Sequence, residues 1–206
     1  DRLGCYGYER DTTPAIDALA AEGVLFENCH SQACWTLPSM VSLMAGVPVT
    51  KEERALPGLP VLAETLRAQG VTTAAFVANA VVGEGSGFER GFDHFDRCFE
   101  ERAPAVVASF EAWYRRWLAE GDPLPDPERR FFAWVHFIDP HQPYDPAPEH
   151  ALFDGPRPRF EALRSAWEAA APRAALESPA LAGLSTAQAV EQMNAASNRY
   201  DGEVRA

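Results

Sequence analysis

The sequence FFAWVHFI, residues 131–138, decides the fold because it is apolar at almost every position. A strand with one face in water alternates apolar and polar residues, whereas a nearly continuous apolar run is typical of a strand covered on both faces. The run leads directly into DPHQPYDPAPEH, residues 139–150, where proline recurs. We therefore predict a buried strand that ends in a stiff loop.

Helix and strand patterns alternate on either side of this run. Apolar residues at helical spacing, with proline near the start or glycine at the end, predict helices, and short β-branched stretches predict strands. The predicted helices are TTPAIDALAAEG (12–23), TLPSMVSLMAG (36–46), LPVLAETLRAQG (59–70), APAVVASFEAWYRRWLAEG (103–121) and an Ala-rich segment from about residue 160; the predicted strands are VLFENC (24–29) and VTTAAFVAN (71–79).

This alternation predicts an α/β fold with helices on both faces of a largely parallel sheet. The glycine-rich stretch AVVGEGSGFERGFDHFD, residues 80–96, is predicted to be a loop. Ligands of such folds bind at the carboxyl ends of the strands. We therefore expect chemistry in the polar loops that follow residues 77–79 and 137–138.

Bulk composition limits the function classes. The chain has 206 residues, enough for one domain, and its formal net charge of -12 argues against nucleic-acid binding. No apolar run approaches the ~20 residues of a membrane helix, and no pair of cysteines has zinc-finger spacing. Because the chain starts and stops abruptly, we expect a piece of a longer protein.

Thr36 is the first candidate for chemistry. It precedes Pro38 at the start of a predicted helix, where unpaired backbone N–H groups and the positive dipole end would stabilise an anionic ester or a threonine alkoxide. Its hydroxyl is a weak nucleophile and needs activation by a base or a metal. The alternative is a plain N-cap, worth about 1 kcal/mol.

The histidines offer further candidates. His141 follows the buried strand in a rigid loop and could act as an acid, a base, a metal ligand or an anion donor; a surface histidine among prolines is the alternative. His136 lies within the strand and is interpreted first as a hydrogen-bonded core residue. Asn79 ends a strand and could orient a substrate, and Asp139 before Pro140 indicates a turn.

Several of these stretches together resemble the N-terminal half of the sulfatase family, in the alkaline-phosphatase-like superfamily. The opening residues 1–31, with DRLGCYGYERDTTPAIDALAAEGVLFENCHS, are similar to the family's first helix and strand. TLPSMVSLMAG is similar to its Cys/Ser-x-Pro-Ser-Arg signature and following helix. GFERGFDHFD, WVHFIDPHQPY and NRYDGEVRA are similar to later landmarks, so the resemblance covers nearly the whole chain.

The resemblance implies a fold, a cofactor and a site. The fold would be a three-layer α/β/α sandwich around a mostly parallel mixed sheet, with residues 1–206 forming the N-terminal part of one catalytic domain. Thr36 stands at the formylglycine position, which supplies the nucleophile and a metal ligand. His141 would contact the ester's anionic group or leaving oxygen. The cofactor would be a divalent cation, Ca²⁺ in typical sulfatases, with most ligands outside residues 1–206.

Ser39, Asn79 and His136 are assigned as candidate substrate-binding residues. The substrate would be a small-molecule or glycan sulfate or phosphate ester. The residues themselves indicate no compartment, and the resemblance implies a periplasmic or extracellular one. We predict that residues 1–206 alone neither bind the metal tightly nor turn over substrate.

The departures from the family pattern leave three functions open. Threonine cannot become formylglycine, Met40 replaces the signature's arginine and Ala45 its threonine, and no Gly-Lys-Trp-His segment is present. The first function is a sulfatase-like hydrolase that uses an unmodified Thr36. The second is a phosphodiesterase or phosphoethanolamine-type transferase, since those branches of the superfamily use a threonine. The third is an inactive homologue that binds an anion or a glycan.

Overall fold

The structure is a computed structural model that describes residues 2–48, 58–83, 85–99, 101–120, 129–141, 146–152, 200, 201 and 204. The chain divides into two compact units. The first unit comprises Asp1–Glu27 and Asp139–Ala206, and the second comprises Asn28–Ile138. No helix among the described residues is long and apolar enough to cross a membrane.

The second unit is built on a parallel sheet. Its three described strands are β1 (Thr72–Val77), β2 (His94–Arg97) and β3 (Phe131–His136), in the order β2-β1-β3. The register pairs Val77 with Arg97 on one side and with His136 on the other. The carboxyl ends of all three strands therefore meet at one edge of the sheet, as the sequence predicted for the strands that end at residues 77 and 136.

Helices cover both faces of this sheet. Alternate residues of a strand point to opposite faces, so Ala75 and Val77 pack into a cluster with α2 (Thr36–Ala45) and α3 (Leu62–Ala68). Ala74 and Phe76 face the other way and pack with Val106 and Trp113 of α4 (Ala103–Ala119). The described part of this unit therefore has the predicted α/β/α layers, and the continuous apolar run of β3 is explained by a cover on each face.

The first unit contains a short 3-10 helix (Gly4–Tyr6) and helix α1 (Pro14–Glu22). Thr13 occupies the N-cap position of α1, but its hydroxyl does not cap the helix. The hydroxyl instead accepts the Gly4 N–H at 3.0 Å and donates to the Asp17 carboxylate. The Asp17 carboxylate also accepts the Cys5 N–H at 2.7 Å, so these contacts join the two helices.

Two predictions of secondary structure were wrong. Residues 24–29 form no strand with any described segment, and Val24 and Phe26 are 82% and 69% exposed. A β-branched stretch becomes a strand only when a neighbour pairs with its backbone. Conversely, β2 lies inside the stretch predicted to be a loop, because its backbone pairs with β1. The predicted helix from residue 160 lies outside the described residues.

Candidate active site at the start of helix α2

Thr36 is the first residue of α2, and Trp35 occupies the N-cap with an extended backbone. The first hydrogen bond of this helix runs from the Ser39 N–H to the Trp35 carbonyl. The N–H groups of Thr36 and Leu37 therefore have no partner within the helix, and Pro38 has no N–H group. The partly buried Thr36 side chain thus stands beside the positive end of the helix.

The capping interpretation of Thr36 is wrong. A capping side chain belongs to the residue before the first helical one, and that position is held by Trp35, which makes no side-chain capping bond. The helix begins at Thr36, as predicted, because the extended conformation ends at Trp35 (φ -144°, ψ 160°). The nucleophilic role of Thr36 stays a prediction.

Ser39 lies one turn after Thr36 and helps to form a cleft. Its hydroxyl is 2.8 Å from the Ser31 hydroxyl, a contact that joins the segment before α2 to the helix. Residues 29–32 form one wall of this cleft, and Ser39, Ser42 and Leu43 form the other. We call this space, of about 450 Å³, the α2 cleft.

The first wall was not recognised from the sequence: neither His30 nor Cys29 was among the candidate site residues. The local signal is the polar run NCHSQ, residues 28–32, directly before the helix. It does not reveal a cleft, because the cleft forms only when this segment lies along α2.

Asn79 and His136 come together at the carboxyl edge of the sheet. His136 is paired with Val77, and its carbonyl accepts the Ala78 N–H at 3.0 Å. Asn79 follows at once, and its side-chain oxygen accepts the Val81 N–H at 2.9 Å, which caps a 3-10 helix (Ala80–Val82). Helix α2 packs against this 3-10 helix. A substrate-binding role for either side chain stays a prediction.

Within the described part of the chain, one ring nitrogen of His136 lacks the hydrogen bond that the sequence suggested. Its Nδ1 atom is buried and has no hydrogen-bond partner among the described residues. The ring meets Trp134 edge to face, with 5.7 Å between the ring centroids. Burial lowers the pKa of His136 from its ordinary value of 6.5, because the charged imidazolium loses solvation.

His141 is exposed and belongs to the first unit, whereas Thr36 belongs to the second. It follows a turn at Asp139 and Pro140, which was the predicted role of Asp139; the peptide bond between those two residues is cis. The pairing of His141 with Thr36 across one site stays a prediction.

Metal-binding side chains do not cluster in the described part of the chain. No group of three or more His, Cys, Asp and Glu residues there could hold a metal ion. Thr36 offers one hydroxyl oxygen, which suits a hard cation such as Ca²⁺ but is not a complete site.

Comparison with known proteins identifies relatives of the chain. A family model described as Sulfatase matches residues 1–203. Over 43 residues the chain is 46% identical to a protein named Ulvan-active sulfatase from Formosa agariphila; this stretch is 21% of the chain and 9% of the relative.

A solved structure shows the same fold. The C-terminal periplasmic domain of EcEptC from Escherichia coli, in a complex with Zn, superposes with a TM-score of 0.61 at 18% identity. The match covers 99% of the chain and 52% of that structure, so the chain spans about half the length of this relative. The likeness confirms the predicted α/β, alkaline-phosphatase-like fold.

Proposed function

The chain belongs to the sulfatase family, and from this premise we propose that it forms part of a metal-dependent hydrolase that cleaves sulfate or phosphate esters with Thr36 as the nucleophile. The matched relative is named as a sulfatase active on ulvan, which favours a sulfated glycan as substrate. The family match covers the segment that contains Thr36, Ser39, Asn79, His136 and His141.

The observation that carries the proposal is the position of Thr36 as the first residue of α2. Its side chain is not used to cap the helix, and the neighbouring N–H groups lack partners within the helix. An anionic ester held there gains from those donors and from the helix dipole. The same field stabilises negative charge that develops on the attacking oxygen.

The proposed reaction has two steps. The Thr36 hydroxyl releases its proton to solvent, and its oxygen forms a bond to the sulfur or phosphorus centre while the bond from that centre to the leaving oxygen breaks. His141 donates a proton to the leaving oxygen, which departs as an alcohol. Water then attacks the same centre, frees the inorganic anion and restores the Thr36 hydroxyl.

A divalent cation is proposed as cofactor. Bound beside Thr36, it would make the hydroxyl more acidic and neutralise the ester's charge. Thr36 is the ligand that we assign among the described residues, and the other ligands are proposed to lie outside them. The zinc in the EcEptC structure and the Ca²⁺ of typical sulfatases are the two metals to compare.

A second candidate is transfer or cleavage of a phosphodiester. The presence of threonine at position 36 favours this candidate, because the resemblance implies an unmodified threonine nucleophile in the phosphodiesterase branches of the superfamily. A sulfatase and a phosphodiesterase would need the same hydroxyl, so they differ only in the ester that is cleaved. Aryl sulfate, aryl phosphate and phosphodiester substrates, tested on the same preparation, separate the two.

The test of the proposed function is substitution of Thr36. In the full-length protein that contains residues 1–206, reconstituted with Ca²⁺ or Zn²⁺, Thr36→Val and Thr36→Ala are expected to lower kcat by about 10⁴-fold or more, because the nucleophilic oxygen is removed. Thr36→Ser keeps a hydroxyl and should retain measurable turnover. Since Thr36 does not cap α2, the unfolding midpoint should stay close to that of the wild type.

A kcat of Thr36→Val within a few-fold of the wild-type value would contradict the proposal. A full-length wild-type protein that cleaves none of the three ester classes, with either metal, would favour an inactive binding homologue instead. The replacement of the signature's arginine by Met40 is the feature that supports this alternative.

A further inference from the structure

We propose that the α2 cleft binds the leaving group of the ester and selects a neutral, hydroxyl-rich group such as a sugar. This inference rests on the proposed function, because it requires that Thr36 attacks an ester. It adds a specificity-determining site whose first wall, residues 29–32, was not recognised from the sequence.

The position of the cleft along α2 supports this role. Ser39 and Leu43 lie three and seven residues after Thr36, a spacing that places all three along one side of a helix. One helical turn rises about 5.4 Å. A group attached to an ester at Thr36 therefore reaches the cleft wall within about one turn.

The size of the cleft suits a sugar. The cleft's volume of about 450 Å³ lies within the range of about 300–1,000 Å³ that is usual for small-molecule sites. It lies between the segment 29–32 and α2 and is open to solvent. A single sugar ring can enter such a cleft, while a longer glycan continues into solvent.

The side chains that line the cleft suit a neutral leaving group on an anionic ester. No Asp, Glu, Lys or Arg lines the cleft among the described residues, although the formal net charge of the chain is -12. A wall without carboxylates does not repel a negatively charged ester. The lining instead offers the amide of Gln32 and the imidazole of His30, which can bond to sugar hydroxyls, beside apolar surface that the carbon face of a sugar ring can contact.

Hydrogen bonds within the walls fix the shape of the cleft before a ligand binds. The Ser31 hydroxyl donates to the Ala33 carbonyl at 2.7 Å and also contacts the Ser39 hydroxyl. The Ser42 hydroxyl donates to the Val47 carbonyl at 2.7 Å. These bonds fix the two walls. We therefore expect Gln32 to be the side chain that forms hydrogen bonds with the leaving group.

The experiment compares two esters in Gln32→Leu, a variant that keeps the side-chain size but loses the amide. N-acetylglucosamine 6-sulfate carries a sugar leaving group, and 4-nitrophenyl sulfate carries an apolar one; the matching phosphate esters serve if phosphate is the group cleaved. We expect kcat/KM for the sugar ester to fall about 5-fold or more through KM, since one hydrogen bond is lost, with less than 2-fold change for the aryl ester.

Gln69→Leu is the matched control, since Gln69 is exposed at the end of α3 and is not part of the cleft. It should leave both esters unchanged. A second readout is alkylation of Cys29 by iodoacetamide, resolved by mass spectrometry. N-acetylglucosamine should slow it in the wild type and not in Gln32→Leu, while the exposed Cys34, outside the cleft lining, is an internal control.

Two results would overturn the inference: a ratio of the two kcat/KM values that Gln32→Leu leaves unchanged, and no protection of Cys29 by the sugar. Each leaves the proposed function intact, because the wild type still turns over an ester. Absence of turnover of both esters by the metal-loaded wild type overturns the proposed function itself.

Discussion

At the scale of single residues, His136 lies in surroundings that, within the described part of the chain, leave one of its ring nitrogens without a hydrogen bond. Its Nδ1 atom is buried without a partner among the described residues, beside the ring of Trp134. Burial favours the neutral imidazole and lowers the pKa of His136. The unfolded chain therefore takes up a proton at a higher pH than the folded one does, and acidification below about 6.5 favours unfolding.

We predict that His136→Gln reduces the pH dependence of stability. The melting temperature of the wild type should fall more steeply than that of the variant as the pH drops from about 7 through the lowered pKa of His136. Above the ordinary histidine pKa of about 6.5 the two slopes should agree. Thermal unfolding followed by circular dichroism in a pH series measures this, with His30→Gln as an exposed-histidine control. Identical slopes for wild type and His136→Gln below pH 6.5 would contradict the prediction.

At the scale of elements, the turn before β2 is fixed to the first turn of α3. Arg90 donates two hydrogen bonds to the Glu64 carboxylate, at 3.0 and 2.7 Å, and a third to the Leu59 carbonyl. Next to it, Gly91 has a positive φ of 81°, and a Cβ placed there would lie 2.2 Å from the Glu64 nitrogen. Only glycine allows this close approach of the turn and the helix.

We predict that Gly91→Ala lowers the free energy of unfolding by about 2–4 kcal/mol, from left-handed strain and overpacking together. Gly70→Ala is the matched control: its φ is 75°, but no atom lies within 4 Å of the added Cβ. Strain alone should cost that variant about 1–2 kcal/mol. Urea unfolding gives both values, and an equal loss in the two variants would show that the contact with α3 does not matter.

At the scale of the whole chain, Asp201 connects residues that are far apart in sequence within the first unit. Its carboxylate is fully buried and accepts hydrogen bonds from Arg2 at 2.9 Å, Arg10 at 2.7 Å and Tyr8 at 2.6 Å. Arg2 also lies over the rings of Tyr8 and Tyr200. A buried carboxylate is tolerated only when such donors surround it.

We predict that Asp201→Asn destabilises the first unit by about 2–4 kcal/mol, because a buried, charge-assisted network loses its acceptor. Glu111→Gln provides the contrast, since Glu111 and its partner Arg115 are both largely exposed. A surface pair of this kind is worth about 0.5 kcal/mol or less. Chemical denaturation should rank the two variants in that order, and equal effects would show that the Asp201 cluster is not a stabilising contact.

The sequence alone determined the elements whose signals lie within one turn or one strand. Helices α1 to α4 follow from local patterns, such as Pro14 at a helix start and Gly46 at a helix end. Strand β1 follows from a stretch rich in β-branched residues, and β3 from a continuous apolar run. The sulfatase resemblance also followed from short motifs around Thr36 and His141, and the family match confirms it.

Only the tertiary structure decided what depends on contacts between distant segments. These are the order β2-β1-β3, the existence of β2 and the absence of a strand at residues 24–29. They also include the α2 cleft and the cluster around Asp201, whose partner Arg2 is 199 positions away. Local sequence sets backbone preference, whereas strand pairing, burial and ion pairing depend on which residues the folded chain brings together.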